Sequence, residues 1–98
     1  MIRRQGHVAT PEASRILQRL CYHFSRKIPV HHDAHQGDAA FPWGRCLLTA
    51  DAALLRFDCQ AADAEQLARV QAAIDAHIEL FSRKDPLRVD WQAIEPLA

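Results

Sequence analysis

The chain has 98 residues, with 12 Lys plus Arg against 12 Asp plus Glu, so its formal charge is zero. That balance argues against nucleic acid as a partner, because such binders carry a basic surplus or stripe. A hydrophobic content of 49% fits a folded domain, and no window approaches the roughly 20 consecutive apolar residues of a membrane span.

One domain over residues 1–98 is expected. Met1 to Gly6 has basic residues but no apolar run behind them, unlike a secretory signal. Three cysteines cannot all pair within one chain, and none sits in a Cys-x-x-Cys spacing; reduced thiols in the cytoplasm are expected.

Gln5 to Ala9 reads as a short first strand. Thr10-Pro11-Glu12 then starts a helix, with Thr10 as N-cap and Pro11 in the first turn. Ala13, Ile16, Leu17, Leu20, Cys21 and Phe24 recur at helical spacing, with His23 at the border of that stripe. Ile28, Val30 and His32 alternate as a strand that Pro29 confines to an edge. Gln36-Gly37-Asp38 reads as a turn, Ala39, Phe41 and Trp43 as the next strand, and Gly44 as a second turn. Cys46, Leu48 and Ala50 face one way on the strand after it. Leu55, Phe57 and Cys59 against Arg56, Asp58 and Gln60 is the cleanest alternation in the chain, one face buried and one wet.

Asp63-Ala64-Glu65-Gln66 resembles a capping box. The helix behind it carries Leu67, Val70, Ile74, His77, Ile78 and Phe81 on one stripe, so His77 is expected to face the core. Asp85-Pro86 stops the helix. Leu87, Val89 and Trp91 make a last strand, and a loose tail is expected from about residue 93. The order β-α-β-β-β-β-α-β implies an α+β fold, an antiparallel sheet with both helices on one face.

Several blocks resemble a family of small bacterial proteins, the domain of unknown function 2218. They are Val8-Ala9-Thr10, Ala13-Ser14-Arg15, Leu20-Cys21-x-His23-Phe24, Lys27-Ile28-Pro29-Val30, Phe41-Pro42-x-Gly44-x-Cys46 and His77-x-x-x-Phe81-x-Arg83-x-x-Pro86-Leu87. The resemblance implies a two-helix, one-sheet shape like that of the TATA-binding protein, without implying DNA binding. It also implies a link of some members to siderophore-interacting flavin reductases, hence to iron handling, and a reductase as partner. Family members often carry a second histidine just before the Lys-Ile-Pro-Val segment; Arg26 occupies that position here.

Five constellations carry the chemistry available to this chain. Cys21, His23, Cys46 and His77 combine thiol and imidazole, the usual donors for zinc or iron; the plain alternative is buried cysteines and hydrogen-bonded core histidines. His31-His32-Asp33-Ala34-His35 is dense in donors but also reads as a polar loop. Cys21 or Cys46 with a histidine base would suit nucleophilic catalysis, but no nucleophile motif surrounds either, and no catalytic residue is assigned. Arg26-Lys27 and Arg83-Lys84 end the two helices and complement their dipoles; with His23 and His77, Arg26 and Arg83 are the candidate ligand-binding residues for an anion. Phe41-Pro42-Trp43 reads as core, or as an exposed patch for a homodimer or a reductase partner.

The leading expectation is a small cytoplasmic accessory domain, not an enzyme, that binds a ligand or partner in iron or siderophore metabolism. The alternative is a metal-binding protein or metal-dependent enzyme built on Cys21, His23, Cys46 and His77.

Overall fold

The computed structural model describes residues 1–96. The elements run β1 (Ile2–Ala9), α1 (Ala13–Phe24), β2 (Val30–His32), β3 (Gln36–Phe41), β4 (Gly44–Ala50), β5 (Leu54–Ala61), α2 (Ala64–Phe81), β6 (Asp90–Trp91) and β7 (Glu95–Pro96). The strands form one antiparallel sheet in the order β2-β3-β4-β5-β1-β6, with β7 also paired to β1. This is the expected α+β fold. Glu95–Pro96 adds a short last pairing within the expected tail, whose end, Leu97 and Ala98, lies outside the described residues.

Alternation decides which face of the sheet is covered. Leu55, Phe57, Cys59 and Ala61 of β5, Cys46 and Leu48 of β4 and Val8 of β1 are buried. Arg45, Leu47, Thr49 and Arg56 on the other face are exposed. Both helices close the buried face. From α1 come Ala13, Ile16, Leu17, Leu20, Cys21 and Phe24, and from α2 Leu67, Val70, Ile74 and Ile78. Each large aliphatic side chain so buried contributes roughly 1.5–3 kcal/mol. Asp63 caps α2 by accepting the Gln66 backbone N–H at 2.9 Å, as its sequence predicts.

The edge position of β2 fits Pro29, which has no N–H for a further ladder bond. Gly37 is a different matter. It is a buried residue inside β3, paired with His32 and Leu48. The β2–β3 turn lies earlier, where the Asp33 carboxylate accepts the N–H groups of His35 and Gln36, both at 2.8 Å. Gly37 is required for space: a Cβ there would stand 2.6 Å from Cys21 Sγ. Trp43 likewise lies in the β3–β4 turn rather than on a strand.

The helix ends also differ from expectation. α1 begins at Ala13 with Glu12 before it, because Thr10 uses its hydroxyl to accept the Glu12 N–H, closing a turn ahead of the helix. α2 ends at Phe81, before Pro86 can act. Ser82 donates its hydroxyl to the Ile78 carbonyl and accepts the Leu87 N–H, so this one side chain ends the helix and turns the chain toward β6. Only Asp90–Trp91 of the expected last strand pairs with β1. Trp91 packs its ring over Gly6, 6.1 Å from that of Phe57, and donates its indole N–H to Asp75 on α2.

Candidate functional site

The C-terminal turns of α1 and α2 converge at one end of the sheet, beside the β3–β4 turn. His23 and His77, both half-buried, meet there with ring centroids 4.7 Å apart. The contacts continue in both directions. His77 stands 4.9 Å from Phe24, Phe24 5.2 Å from Phe41, and Phe41 stacks on Trp43 at 6.1 Å with 17° between the planes. His23 meets Phe81 at 5.8 Å, and the Arg19 guanidinium covers the Phe81 ring at 4.6 Å, a cation–π contact.

This chain of rings borders a cleft of about 330 Å³, near the lower end of the roughly 300–1,000 Å³ typical of small-molecule sites. Apart from the two histidines, the lining is aromatic and aliphatic with one ammonium group, that of Lys27, and contains no carboxylate.

The two imidazoles are not equivalent. His77 holds its Nδ1 2.6 Å from the Ala73 carbonyl. A carbonyl only accepts, so Nδ1 carries the hydrogen and, in the neutral ring, Nε2 keeps a lone pair. Burial first, then the His77 ring, Arg26 and Lys27, hold the pKa of His23 below the ordinary 6.5. Burial and like charge both disfavour the imidazolium. His77 was expected to face the core; it is only half-buried. His77 and Phe81 meet the rings of His23 and Phe24 at the end of α1 instead, and Ile78 is the buried residue of that turn.

The cysteines are elsewhere. Cys46 and Cys59 sit opposite each other on β4 and β5, with their sulfurs 3.5 Å apart. Cys21 points at Gly37 from the middle of the α1 stripe. Burial pushes the Cys21 thiol up to about 11, and burial, then the Cys59 thiol, carries Cys46 well above the ordinary range. Neither therefore holds the thiolate at neutral pH that an activated nucleophile requires. Among the described residues no three of His, Cys, Asp and Glu gather closely enough to hold a metal ion. The structure thus brings His23 and His77 together without Cys21 and Cys46. In the His31–His35 segment, Asp33 is engaged by the turn, which holds its carboxyl below the usual range.

Of the basic candidates, Arg26 adjoins His23, while Arg83 lines a separate hollow of about 520 Å³ beyond Phe81, with Arg15, Arg19 and Lys84. Arg15 is already held there by Glu12 through two hydrogen bonds. The sequence reading missed Lys27, Phe24, Phe41 and Trp43 as one wall. The available signal was two aromatics flanking Pro42 ahead of a glycine, which places Phe41 at a strand end and Trp43 in the turn after it, both partly exposed.

The model of a family described as uncharacterized protein conserved in bacteria matches residues 5–92. The chain is also similar to PA4090 from Pseudomonas aeruginosa, solved by NMR, with 28% identity and a TM-score of 0.82 over 98% of this chain and all of that one. No curated protein matches the chain. No helix among the described residues is long and apolar enough to cross a membrane.

Proposed function

The chain belongs to the bacterial family of uncharacterized proteins designated DUF2218, and from that premise we propose that it is a small accessory domain, not an enzyme, that binds a small ligand in the cleft between the helix ends and the β3–β4 turn. The carrying observation is the convergence of His23, Phe24, Phe41, Trp43 and His77 on one concave, mostly apolar surface. Half-buried aromatic walls with few polar groups are the usual make-up of a ligand site. Phe24 belongs to the core, while Phe41, Trp43 and the two imidazoles are only partly buried against it and leave aromatic surface open to a ligand.

A role in iron or siderophore metabolism, with a reductase as partner, rests on the family resemblance alone. A cytoplasmic setting is supported by three free cysteines. The alternative of a zinc or iron site using Cys21, His23, Cys46 and His77 has less support, because Cys21 and Cys46 are buried away from the imidazole pair.

NMR shift mapping with small aromatic compounds tests the proposal. Perturbations confined to the backbone signals of residues 23–28, 41–43, 73 and 77 support it. Perturbations on the open sheet face, or none, contradict it. Stoichiometric zinc or iron in untagged protein, lost in His77→Ala, would favour the metal reading.

A further inference from the structure

Resting on the cleft reading above, we infer that the occupant is a planar aromatic anion, an aryl carboxylate of one or two fused rings. Its ring lies against the wall formed by Phe41, Trp43 and the two imidazoles, and its carboxylate pairs with Lys27.

Shape supplies the first argument. Phe41 and Trp43 stack on each other with 17° between their planes, and both line the cleft, so aromatic surface faces the occupant. A flat aromatic surface rewards a planar partner through offset stacking. A volume of about 330 Å³ suits one small ring system.

Charge supplies the second. The ionisable groups lining the cleft are Lys27, His23 and His77, all bases, in a chain whose formal charge is zero. A cationic ligand would meet an ammonium group with no carboxylate to offset it. A neutral one would leave that ammonium without an ionic partner. An anion gains a charge-assisted hydrogen bond to Lys27. Inorganic phosphate would satisfy the charge but leave the rings uncovered.

The environment of His23 supplies the third. The charged or titratable groups facing it are His77 from α2 and Arg26 and Lys27 from the end of its own helix, with Arg19 beyond Phe81. All of these are bases. A negative charge in the cleft would offset their repulsion. Binding of the anion and protonation of His23 therefore favour each other, and by linkage each strengthens the other equally.

Calorimetric titration of the full chain with 2-naphthoate and with neutral 2-naphthamide tests the inference, using wild type and Lys27→Gln. Lys27 is exposed, so the variant folds. Naphthoate should bind about tenfold more tightly than naphthamide at neutral pH, and Lys27→Gln should bring the two within about threefold. Naphthoate binding should tighten further toward about pH 5.5 while naphthamide binding does not. Equal affinities in wild type, or a naphthoate affinity unchanged by Lys27→Gln, overturn the anionic class and leave the cleft as a ligand site. Absence of binding by both compounds, with the cleft's NMR signals unmoved, overturns the cleft reading as well.

Discussion

His23 and His77 bring their imidazole rings within 4.7 Å of each other from the C-terminal turns of two different helices. The Ala73 carbonyl fixes one ring, and the other sits among bases that disfavour its protonation. Replacing His77 with phenylalanine keeps a ring against Phe24 and Phe81 but removes the imidazole that disfavours the charged form of His23. The pKa of His23 should therefore rise in part, burial and the Arg26 and Lys27 charges still holding it down, and the ¹H–¹³C signal of its imidazole followed against pH measures this.

The turns of the sheet predict how stability depends on acid. Asp33 and Asp51 each accept two backbone N–H groups in a β-turn, and those hydrogen bonds hold their carboxyls below the ordinary 3.8. The unfolded chain binds these protons more readily, so stability is full above the unfolded value and is lost as pH falls through the folded one. Asp51→Ala should lower the melting temperature by a few degrees at neutral pH. Calorimetry at low pH should find the difference between variant and wild type shrinking as wild type loses the ionised Asp51 carboxylate that the variant lacks.

For His23 the window is different. Its folded pKa lies below 6.5, so the unfolded state takes up the proton first. Its contribution to stability should fall as pH drops through about 6.5 and level off below the folded value. His23→Phe should flatten this part of the stability profile, which denaturant melts between neutral and mildly acid pH would record.

Gly37 and Cys21 form a fitted pair. A methyl group on residue 37 would meet the Cys21 sulfur at 2.6 Å, and such overpacking costs about 1–3 kcal/mol. Gly37→Ala should destabilise by about that amount. Cys21→Ala removes the sulfur, so the double variant should be more stable than the two single losses predict, by roughly 1 kcal/mol. Urea melts of the four proteins complete the cycle, and strict additivity would contradict the fit.

All three thiols should resist alkylation at neutral pH in the native protein, since Cys21, Cys46 and Cys59 are buried and only the thiolate reacts. Mass spectrometry after brief exposure to iodoacetamide should find labels only when denaturant is added. Rapid labelling of one cysteine in the native chain would revive a thiol chemistry.

The regular elements were legible because their periods are set locally. Every residue assigned to the α1 stripe is buried, and β5 alternates as read, because one face of each element must leave water. Pro29 marked an edge strand for the same local reason. Gly37 was not legible: a glycine beside Gln36 and Asp38 signals a turn, and only the Cys21 sulfur across the core explains its place in a strand. The cleft was half legible. His23 and His77 stood out as histidines on or beside apolar stripes, but their meeting with Phe41, Trp43 and Lys27 depends on contacts between elements far apart in the chain. Ser82 ends α2 by a contact with Leu87 that helix-stop signals do not encode.

The most direct measurement is the pKa of His23, read by NMR in the free protein and in the presence of saturating 2-naphthoate. A value below that of an ordinary histidine in the free protein, rising when the anion is added, is the predicted result. A His23 titration unmoved by the anion would contradict the account.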